Sequence, residues 1–368
     1  MRTCPPIAGV GLCRALSMNV PLVKFRREII DPDPPGSHLD IVLIADVDGD
    51  GRDDIIIGGK QGEANLFWYR NPTWERHVMA VAPNLEAGGV CLDITGNGRP
   101  DVVAGMQYGG NELYWFENPQ DPRQLWTRHI IEDRFLKYHD QTIGDVDGDG
   151  EVEILIASQQ SGIIAYYDIP ADPRVSPWPA ECCHIVAEDM HNVEGLAIVD
   201  IDGDGRTEII AGPNIYRRAA GGWQRRRYAE DFTMTRVAVA DLDGDGQLEI
   251  VLSEGESHPG RLAICRAPDW EPEILLDDLF HPHSLDIADF NYDGLPDIFV
   301  GEMGLGKNRD PRMMVLLNQG DGTFAPQLFQ RGVPVHEAKV ADLMGYGRRD
   351  IVGKPYHPER HVDVWYCE

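Results

Sequence analysis

Short acidic loops recur along the chain, and their residue types are those that bind hard divalent cations. The first loop reads Asp46-Val-Asp48-Gly-Asp50-Gly-Arg-Asp-Asp54, with acidic residues at positions 1, 3, 5 and 9 and glycines at positions 4 and 6. Side-chain oxygens at these positions, together with a backbone carbonyl at position 7, can surround one cation, and the glycines permit the tight curvature. Because every expected ligand atom is an oxygen, the loop predicts calcium.

Five further loops repeat this pattern with different fidelity. The three most regular offer Asp145, Asp147, Asp149, Glu153, Asp200, Asp202, Asp204, Glu208, Asp241, Asp243, Asp245 and Glu249. The second and sixth loops offer Asp93, Asn97, Asp101, Asp289, Asn291, Asp293 and Asp297. The seventh, which begins at Asp342, has Met344 and Tyr346 at ligand positions and is expected to bind no cation. Plain Asp/Gly turns are the alternative, but the repetition in register favours about five to six structural calcium ions.

The spacing of the loops predicts the fold. Their first aspartates are 41 to 55 residues apart, and each unit contains four strand-like segments without an amphipathic helical pattern. A period of this length with four strands is typical of a β-propeller blade. The sequence therefore predicts an all-β, seven-bladed propeller that forms a single domain over residues 22–368.

The two ends of the chain are expected to complete one blade together. The seventh unit supplies three strands and closes with Val362–Cys367, whereas Leu22–Ile30 looks like a fourth strand without preceding partners. Pairing of these segments would close the ring and remove two open sheet edges. Residues 1–21 are interpreted as a disordered or mis-assigned extension, with Met18 as an alternative start and Arg14 interrupting what would be the apolar part of a signal peptide.

A second set of reactive side chains shares one register of the repeat. Six residues before the first aspartate of each loop, the units carry Asp40, Ala87, His139, Glu194, Thr235, His283 and His336. This register would begin each innermost strand, near the axis and on the face opposite the cation loops. The histidines and Glu194 would suit zinc or manganese at one shared site. The alternative is that the histidines are solvated in a water-filled channel.

The turns between second and third strands reach the same face. Two of them carry Tyr108 and Lys354, which have acid and base capacity. The catalytic candidates of this polar pocket are therefore His139, His283, His336, Glu194, Tyr108 and Lys354.

Composition excludes several classes of partner and site. The formal net charge of −28 argues against binding to nucleic acid or to an anionic membrane surface. No apolar stretch is long enough to span a membrane, so a soluble protein is expected. The seven cysteines are scattered without metal-type spacing and predict neither a disulfide framework nor a zinc ribbon. The sequence indicates neither the compartment nor the oligomeric state.

The loops and the aromatic third strands carry a family resemblance. Over about residues 22–368 the chain resembles the FG-GAP/VCBS repeat family of calcium-binding propellers. The third strands that read Trp-Tyr-x-Asn-Pro, as in Leu66–Pro72, are similar to the propeller portion of aldos-2-ulose dehydratase-like proteins. The resemblance implies a calcium-stabilised propeller with a sugar or polysaccharide ligand.

Two classes of function follow from these observations. The first is a carbon–oxygen lyase or dehydratase that acts on carbohydrate through the axial histidines. The second is a non-catalytic module that binds a glycan or a protein and does not need those histidines. Hydrolase, kinase and dehydrogenase functions have no support, because the sequence contains no nucleophile elbow, phosphate loop or dinucleotide fingerprint.

Overall fold

The chain folds as a ring of seven antiparallel sheets with four strands in each. The computed structural model describes residues 22–62 and 64–368, so the expectation for residues 1–21 lies outside the described residues. Within those ranges the helical structure is limited to one 3-10 turn, Ala180–Cys182, and no helix has the length and apolarity needed to cross a membrane. The predicted seven-bladed, all-β propeller is confirmed.

In blades 1 to 6, the four strands follow one another in sequence. Blades 1 and 2 consist of β2 (Ser37–Ala45), β3 (Asp54–Gln61), β4 (Leu66–Arg70), β5 (Glu75–Ala80), β6 (Val90–Leu92), β7 (Asp101–Gly105), β8 (Leu113–Glu117) and β9 (Thr127–Glu132). Blades 3 and 4 consist of β10 (Tyr138–Gly144), β11 (Glu153–Ser158), β12 (Ile163–Tyr167), β13 (Cys183–Ala187), β14 (Leu196–Val199), β15 (Glu208–Ala211), β16 (Asn214–Ala219) and β17 (Gly222–Arg227). Blades 5 and 6 consist of β18 (Thr235–Ala240), β19 (Glu249–Glu254), β20 (Gly260–Cys265), β21 (Pro272–Leu279), β22 (Ser284–Ala288), β23 (Asp297–Gly301), β24 (Arg312–Asn318) and β25 (Phe324–Arg331).

Blade 7 combines both ends of the chain. It consists of β26 (His336–Ala341), β27 (Asp350–Lys354), β28 (Val362–Cys367) and, as its outermost strand, β1 (Phe25–Asp31). The pairing runs from Phe25 opposite Cys367 to Asp31 opposite Val362. The N-terminal strand therefore closes the last blade, as the sequence predicts, although it starts three residues later than Leu22.

Apolar side chains fill the spaces between neighbouring blades rather than one central core. The described residues form seven buried clusters, and each joins the facing sides of two adjacent blades. The largest fully buried side chains include Trp68, Trp115 and Trp365, which lie on third strands. Because both faces of these strands are covered, their sequences are continuously apolar rather than alternating.

Buried asparagines at the ends of third strands tie neighbouring blades together. The side-chain amide of Asn118 donates to the carbonyl of Val47, in the loop of the preceding blade, at 3.0 Å, and to that of Pro100 at 3.1 Å. Equivalent pairs of bonds are made by Asn71 and Asn318. These bonds satisfy loop carbonyls that the packing removes from water, which accounts for the Asn-Pro endings noted in the sequence.

Candidate functional site

Each acidic loop is the turn between the first and second strands of a blade, and its first aspartate holds the turn together. In the first loop, Asp46 Oδ1 accepts the backbone N–H of Asp50 at 3.0 Å, and Oδ2 accepts that of Gly51 at 2.9 Å. Asp342 makes the same two bonds, although Met344 and Tyr346 replace the other carboxylates of its loop. The turn therefore forms with or without a full ligand set.

Four loops bring three carboxylates close enough to share one cation. One oxygen of each residue lies within 4.8 Å of the others in the sets Asp46/Asp48/Asp50, Asp145/Asp147/Glu153, Asp200/Asp202/Glu208 and Asp241/Asp243/Glu249. The second and sixth loops carry asparagine at one ligand position and so offer fewer carboxylates. These acidic clusters have the composition and spacing of sites for metal ions.

The ninth residue of the loop also has a structural role. One oxygen of Asp54 accepts the N–H of the second loop residue at 3.0 Å, and the other accepts that of Asn71 at 2.7 Å. Asp101 and Asp297 make the same pair of bonds. Glu153 has a longer side chain, so one oxygen accepts a backbone N–H while the residue also joins its carboxylate cluster. Burial raises the pKa of Asp54 to about 7, because the charged form loses hydration.

The residues of the axial register are all buried at the inner ends of the blades. No more than 4% of the surface is exposed at any of Asp40, Ala87, His139, Glu194, Thr235, His283 and His336. The alternative of solvated histidines in a water-filled channel is therefore wrong. The innermost strands converge closely enough to shield these side chains from bulk solvent.

Strand irregularities explain why consecutive residues reach the same cluster. The pairing of β10 with β11 skips His139, which is an extra residue between Tyr138 and Asp140. The pairing of β2 with β3 skips Asp40 in the same way. A bulge redirects side chains that would otherwise alternate between faces. As a result, Nδ1 of His139 lies 2.8 Å from Oδ2 of Asp140, its immediate neighbour.

Backbone strain is concentrated next to this register. Two positions before the axial residue, four blades have a non-glycine residue with positive φ: His38 (53°), Lys137 (59°), Asn192 (60°) and His281 (43°). Such conformations are uncommon for residues with a Cβ, and they persist where the surrounding packing imposes them. The repeated strain indicates that the entry into the innermost strands is tightly constrained.

Two imidazoles point at one carboxylate in the centre of the cluster. Nε2 of His139 lies 3.6 Å from Oε1 of Glu194, and Nε2 of His283 lies 3.6 Å from Oε2 of the same residue. Glu256 lies at the solvent side of this trio, with Oε1 at 3.4 Å from Nε2 of His283 and 32% of its side chain exposed. Nε2 of His283 and Oε2 of Glu194 are buried without a hydrogen-bond partner among the described residues. The trio of His139, Glu194 and His283 can therefore hold one metal ion.

The opposite nitrogens of both rings face carboxylates that one arginine joins. Nδ1 of His139 contacts Asp140, and Nδ1 of His283 lies 3.1 Å from Oε1 of Glu337. The buried guanidinium of Arg236 lies 2.8 Å from Asp140 and 3.1 Å from Glu337. Carboxylates behind histidine ligands fix the ring orientation and the tautomer at metal sites. Arg236 therefore holds both carboxylates where they orient the two rings.

His336 lies beside the trio but faces a different partner. Its ring stacks on that of His283 with centroids 4.3 Å apart, whereas its Nδ1 lies 3.0 Å from Nζ of Lys354. Lys354 also donates to the carbonyl of Leu39 at 2.6 Å. The structure thus brings His336 and Lys354 to the cluster, but it separates His336 from the group of atoms that could share one metal.

A second lysine connects the cluster to the face of the ring. Nζ of Lys60 lies 2.8 Å from Asp40 and 2.7 Å from Glu86, and it donates to the hydroxyl of Tyr356 at 3.2 Å. Sequence reasoning did not select Glu86 or Glu256. Glu86 directly precedes the axial-register residue Ala87, and Glu256 lies in the turn between β19 and β20, one of the turns expected on the axial face. These positions were the available signal, but neither residue occupies the axial register itself.

Tyr108 is the one catalytic candidate that the structure does not bring to the cluster. It lies in the turn between β7 and β8 with 73% of its surface exposed. Among the described residues, its side chain has no hydrogen bond and no ring contact with the histidines. Its place on the axial face makes it a surface residue near the site rather than a part of the buried network.

Burial and charge give the buried groups unusual proton affinities. Burial alone would lower the pKa of His283, but its contacts with Glu194 and Glu337 raise it to about 10. Burial lowers the pKa of Lys354 to about 7. It also lowers the pKa of His336 well below the ordinary value, and the charge of Lys354 adds to this effect. The cluster therefore combines a protonated imidazole with a lysine that can lose its proton near neutrality.

Comparisons with known proteins agree with the architecture. The model of the FG-GAP-like repeat family matches residues 93–156 and 145–211. A search of curated proteins found no match. The structure of BBS1N in complex with ARL6DN is similar with a TM-score of 0.54 at 9% identity, and the match covers 94% of this chain and 97% of that chain.

Two lyase structures have the same fold. Rhamnogalacturonan lyase PL11 of Bacillus licheniformis is similar with a TM-score of 0.52 at 13% identity, covering 92% of this chain and 75% of that one. The exotype rhamnogalacturonan lyase YesX has a TM-score of 0.54 at 13% identity, covering 92% and 76% of the two chains. Identities this low establish the fold alone. The chain is a seven-bladed β-propeller that contains FG-GAP-like repeats.

Proposed function

We propose that the protein is a carbon–oxygen lyase or dehydratase that acts on carbohydrate at the buried axial cluster. The observation that carries the proposal is the convergence of Nε2 of His139 and Nε2 of His283 on the carboxylate of Glu194, at 3.6 Å each. Both rings are oriented from behind by carboxylates, an arrangement typical of metal ligands. A structural cluster of ion pairs would not need two imidazoles aimed at one carboxylate.

Zinc or manganese is the metal class that this site would take. Two imidazoles and one or two carboxylates suit a borderline transition metal better than calcium, which prefers oxygen ligands alone. Charge balance supports a cation as well, since carboxylates outnumber the lysine and arginine side chains around the trio. In the absence of metal, protons on His139 and His283 supply positive charge there, because burial is outweighed by the nearby carboxylates that raise the pKa of both rings.

The remaining groups can move protons. A bound metal would stabilise the negative charge that develops on a substrate oxygen next to the reacting carbon. Lys354, as the free amine, would remove the proton α to the substrate carbonyl, and the electron pair of that C–H bond would form the new C=C bond. The C–O bond then breaks, and the departing oxygen would take a proton from water. Glu256 stays ionised, because its contacts with His281 and His283 outweigh burial and lower its pKa to about 2. The products are an unsaturated carbonyl sugar and water or a shortened chain.

Similar structures support carbohydrate as the substrate class. Two propellers of the same fold are named rhamnogalacturonan lyases, although their low identity carries no residue-level argument. Glu256 and Lys60 keep 32% and 16% of their side chains exposed, so the cluster has solvent-facing groups through which a sugar could be recognised.

The acidic loops have a separate role in this proposal. We assign calcium to the loops that begin at Asp46, Asp93, Asp145, Asp200, Asp241 and Asp289, which gives the expected five to six ions. Each acidic loop follows an innermost strand, whereas each axial residue lies at the start of that strand. The loops are therefore at the opposite ends of the innermost strands from the axial cluster. Calcium would therefore stabilise the blades and take no part in the chemistry.

A binding module for glycan or protein is the second candidate. It is favoured by the exposure of Tyr108, at 73%, and by the near-complete burial of the trio. An exposed aromatic ring on the axial face could stack on a sugar or contact a protein without help from the histidines.

Metal analysis and an activity assay separate the two candidates. We expect protein purified without chelator to contain one zinc or manganese in addition to calcium, and to form products that absorb in the ultraviolet from oxidised sugars or uronic polysaccharides. The double variant His139→Ala/His283→Ala should lose both, whereas His184→Ala, which alters a histidine outside the cluster, should lose neither. Absence of a non-calcium metal, together with full ligand binding by the double variant, would leave the binding module as the better account.

A further inference from the structure

The outer half of blade 4 carries a concentration of arginines that the axial site does not use. Five of them, Arg217, Arg218, Arg225, Arg226 and Arg227, fall within 11 residues of a chain whose formal net charge is −28. They lie on β16 and on β17, which is the outermost strand of its blade. β17 contains three arginines and no acidic residue. Such a patch is unexpected on a strongly acidic protein.

Two of these arginines have no carboxylate partner. The guanidinium of Arg225 contacts the sulfur of Met190 at 3.0 Å, and that of Arg226 donates to the carbonyl of Asp269 at 2.7 Å. Neither forms an ion pair within the part of the chain that the structure describes, and both side chains belong to exposed residues. Their charges are thus available to a ligand. By contrast, Arg26 and Arg27 on the outermost strand of blade 7 pair with Glu28 at 3.1 Å and Asp363 at 2.9 Å.

The side chains of Arg225 and Arg226 alternate between the two faces of β17, so their charges flank one sheet edge from opposite sides. Arg218 lies opposite Trp223 and Arg217 lies opposite Gln224. The guanidinium of Arg218 is 6.0 Å from the ring centre of half-buried Trp223. Exposed guanidinium groups bind carboxylates through two parallel hydrogen bonds, and an adjacent indole offers an apolar face. Together these groups match a polymer that alternates carboxylates with the flat faces of sugar rings.

We propose that this edge of blade 4 is a docking site for an anionic polysaccharide that runs along β17, with successive uronate carboxylates bound by Arg225 on one face and by Arg226 on the other. The six residues of β17 extend over roughly 20 Å, enough for a short run of sugars. A uronate chain carries one charge per sugar, so the acidic surroundings repel it less than they repel double-stranded nucleic acid, which has one charge per about 1.7 Å. The inference rests on the proposed function only for the choice of a sugar polymer.

Binding measurements on paired arginine variants test the proposal. We expect Arg225→Gln/Arg226→Gln to raise the dissociation constant for polygalacturonate about tenfold, which corresponds to about 1.4 kcal/mol, and to flatten its dependence on salt. The control Arg26→Gln/Arg27→Gln should leave that constant nearly unchanged. Both variants replace exposed or half-exposed groups, and unaltered melting curves would show that their folds are intact.

Three results would overturn the inference. The first is an unchanged dissociation constant for the blade 4 variant, and the second is tighter binding of DNA than of polygalacturonate at the same salt. The third is that the wild type binds no polygalacturonate while the variant loses self-association. The double variant His139→Ala/His283→Ala distinguishes this site from the axial one. It should still bind polygalacturonate, so failure of the lyase proposal and failure of the docking proposal give different results.

Discussion

Nζ of Lys354 lies 3.0 Å from Nδ1 of His336, and both residues are buried at the inner end of blade 7. A lysine next to a neutral imidazole and remote from water can lose its proton at much lower pH than a surface lysine, and burial lowers the pKa of Lys354 to about 7. This pair is therefore the part of the cluster best suited to accept a proton from a substrate.

Replacement of Lys354 should remove that base. We expect Lys354→Met to lower kcat by about 10²- to 10⁴-fold, with a smaller effect on KM. In the wild type, kcat/KM should rise with pH through about 7 as the lysine is deprotonated. Lys307→Met, which changes an exposed lysine, serves as the control. Steady-state kinetics of the two variants would show whether the buried lysine is required, and near-normal kcat for Lys354→Met would refute its role.

Loss of the proton from His283 should make the metal-free protein less stable at high pH. The pKa of His283 is raised in the folded protein to about 10, above the unfolded value of 6.5. Its contribution to stability is therefore complete below pH of about 6.5 and is lost as the pH rises towards 10. Thermal melts of the apo protein should show a fall in Tm over this window that is smaller in His283→Gln. Equal pH slopes for the two proteins would contradict the assignment.

Calcium removal should destabilise the blades. One site occupied at a hundred times its Kd adds about 2.7 kcal/mol to the stability of the folded state, so chelation should lower Tm markedly. Asp241→Asn should reduce the measured calcium content by one ion, because Asp241 belongs to a carboxylate cluster. Asp342→Asn, at the corresponding position of the seventh loop, should leave the calcium content unchanged. An identical Tm after verified metal removal would argue against structural calcium.

The closing strand should be essential for cooperative folding. Deletion of residues 1–31 removes all of β1 and leaves β28 as an open edge. We expect this truncation to lose its sharp denaturant transition and to aggregate, whereas deletion of residues 1–17 should preserve the transition. Circular dichroism during urea unfolding would compare the two. A cooperative transition in the longer deletion would show that closure is dispensable.

Asn118 should contribute substantially to the contact between blades 1 and 2. Its amide donates to two carbonyls, and Asn118→Ala would leave them without partners. The expected loss is about 1 to 3 kcal/mol in the free energy of unfolding. Gln224→Ala, on an exposed edge, should change this energy by less than about 0.5 kcal/mol. Chemical denaturation measures both values, and equal effects would rule out the proposed inter-blade role.

The sequence alone determined the number of blades, the acidic loops and the register of the axial histidines. These features repeat with the chain, so local spacing is enough to detect them. It also placed the closing strand, because an unpaired outer strand at one end matched a missing one at the other. Such inferences depend on periodicity, which a linear sequence preserves.

Only the tertiary structure decided how the axial residues are grouped. Bulges at His139 and Asp40 break the strict alternation of side chains, and alternation is the rule that sequence reasoning applies. Contacts between different blades then placed Arg236 behind both rings and Glu256 on the solvent side. Within blade 7, His336 faces Lys354 instead of joining the trio of His139, Glu194 and His283. Burial followed from the same packing, because the space left at the axis depends on how closely seven strands converge and not on the composition of any one of them.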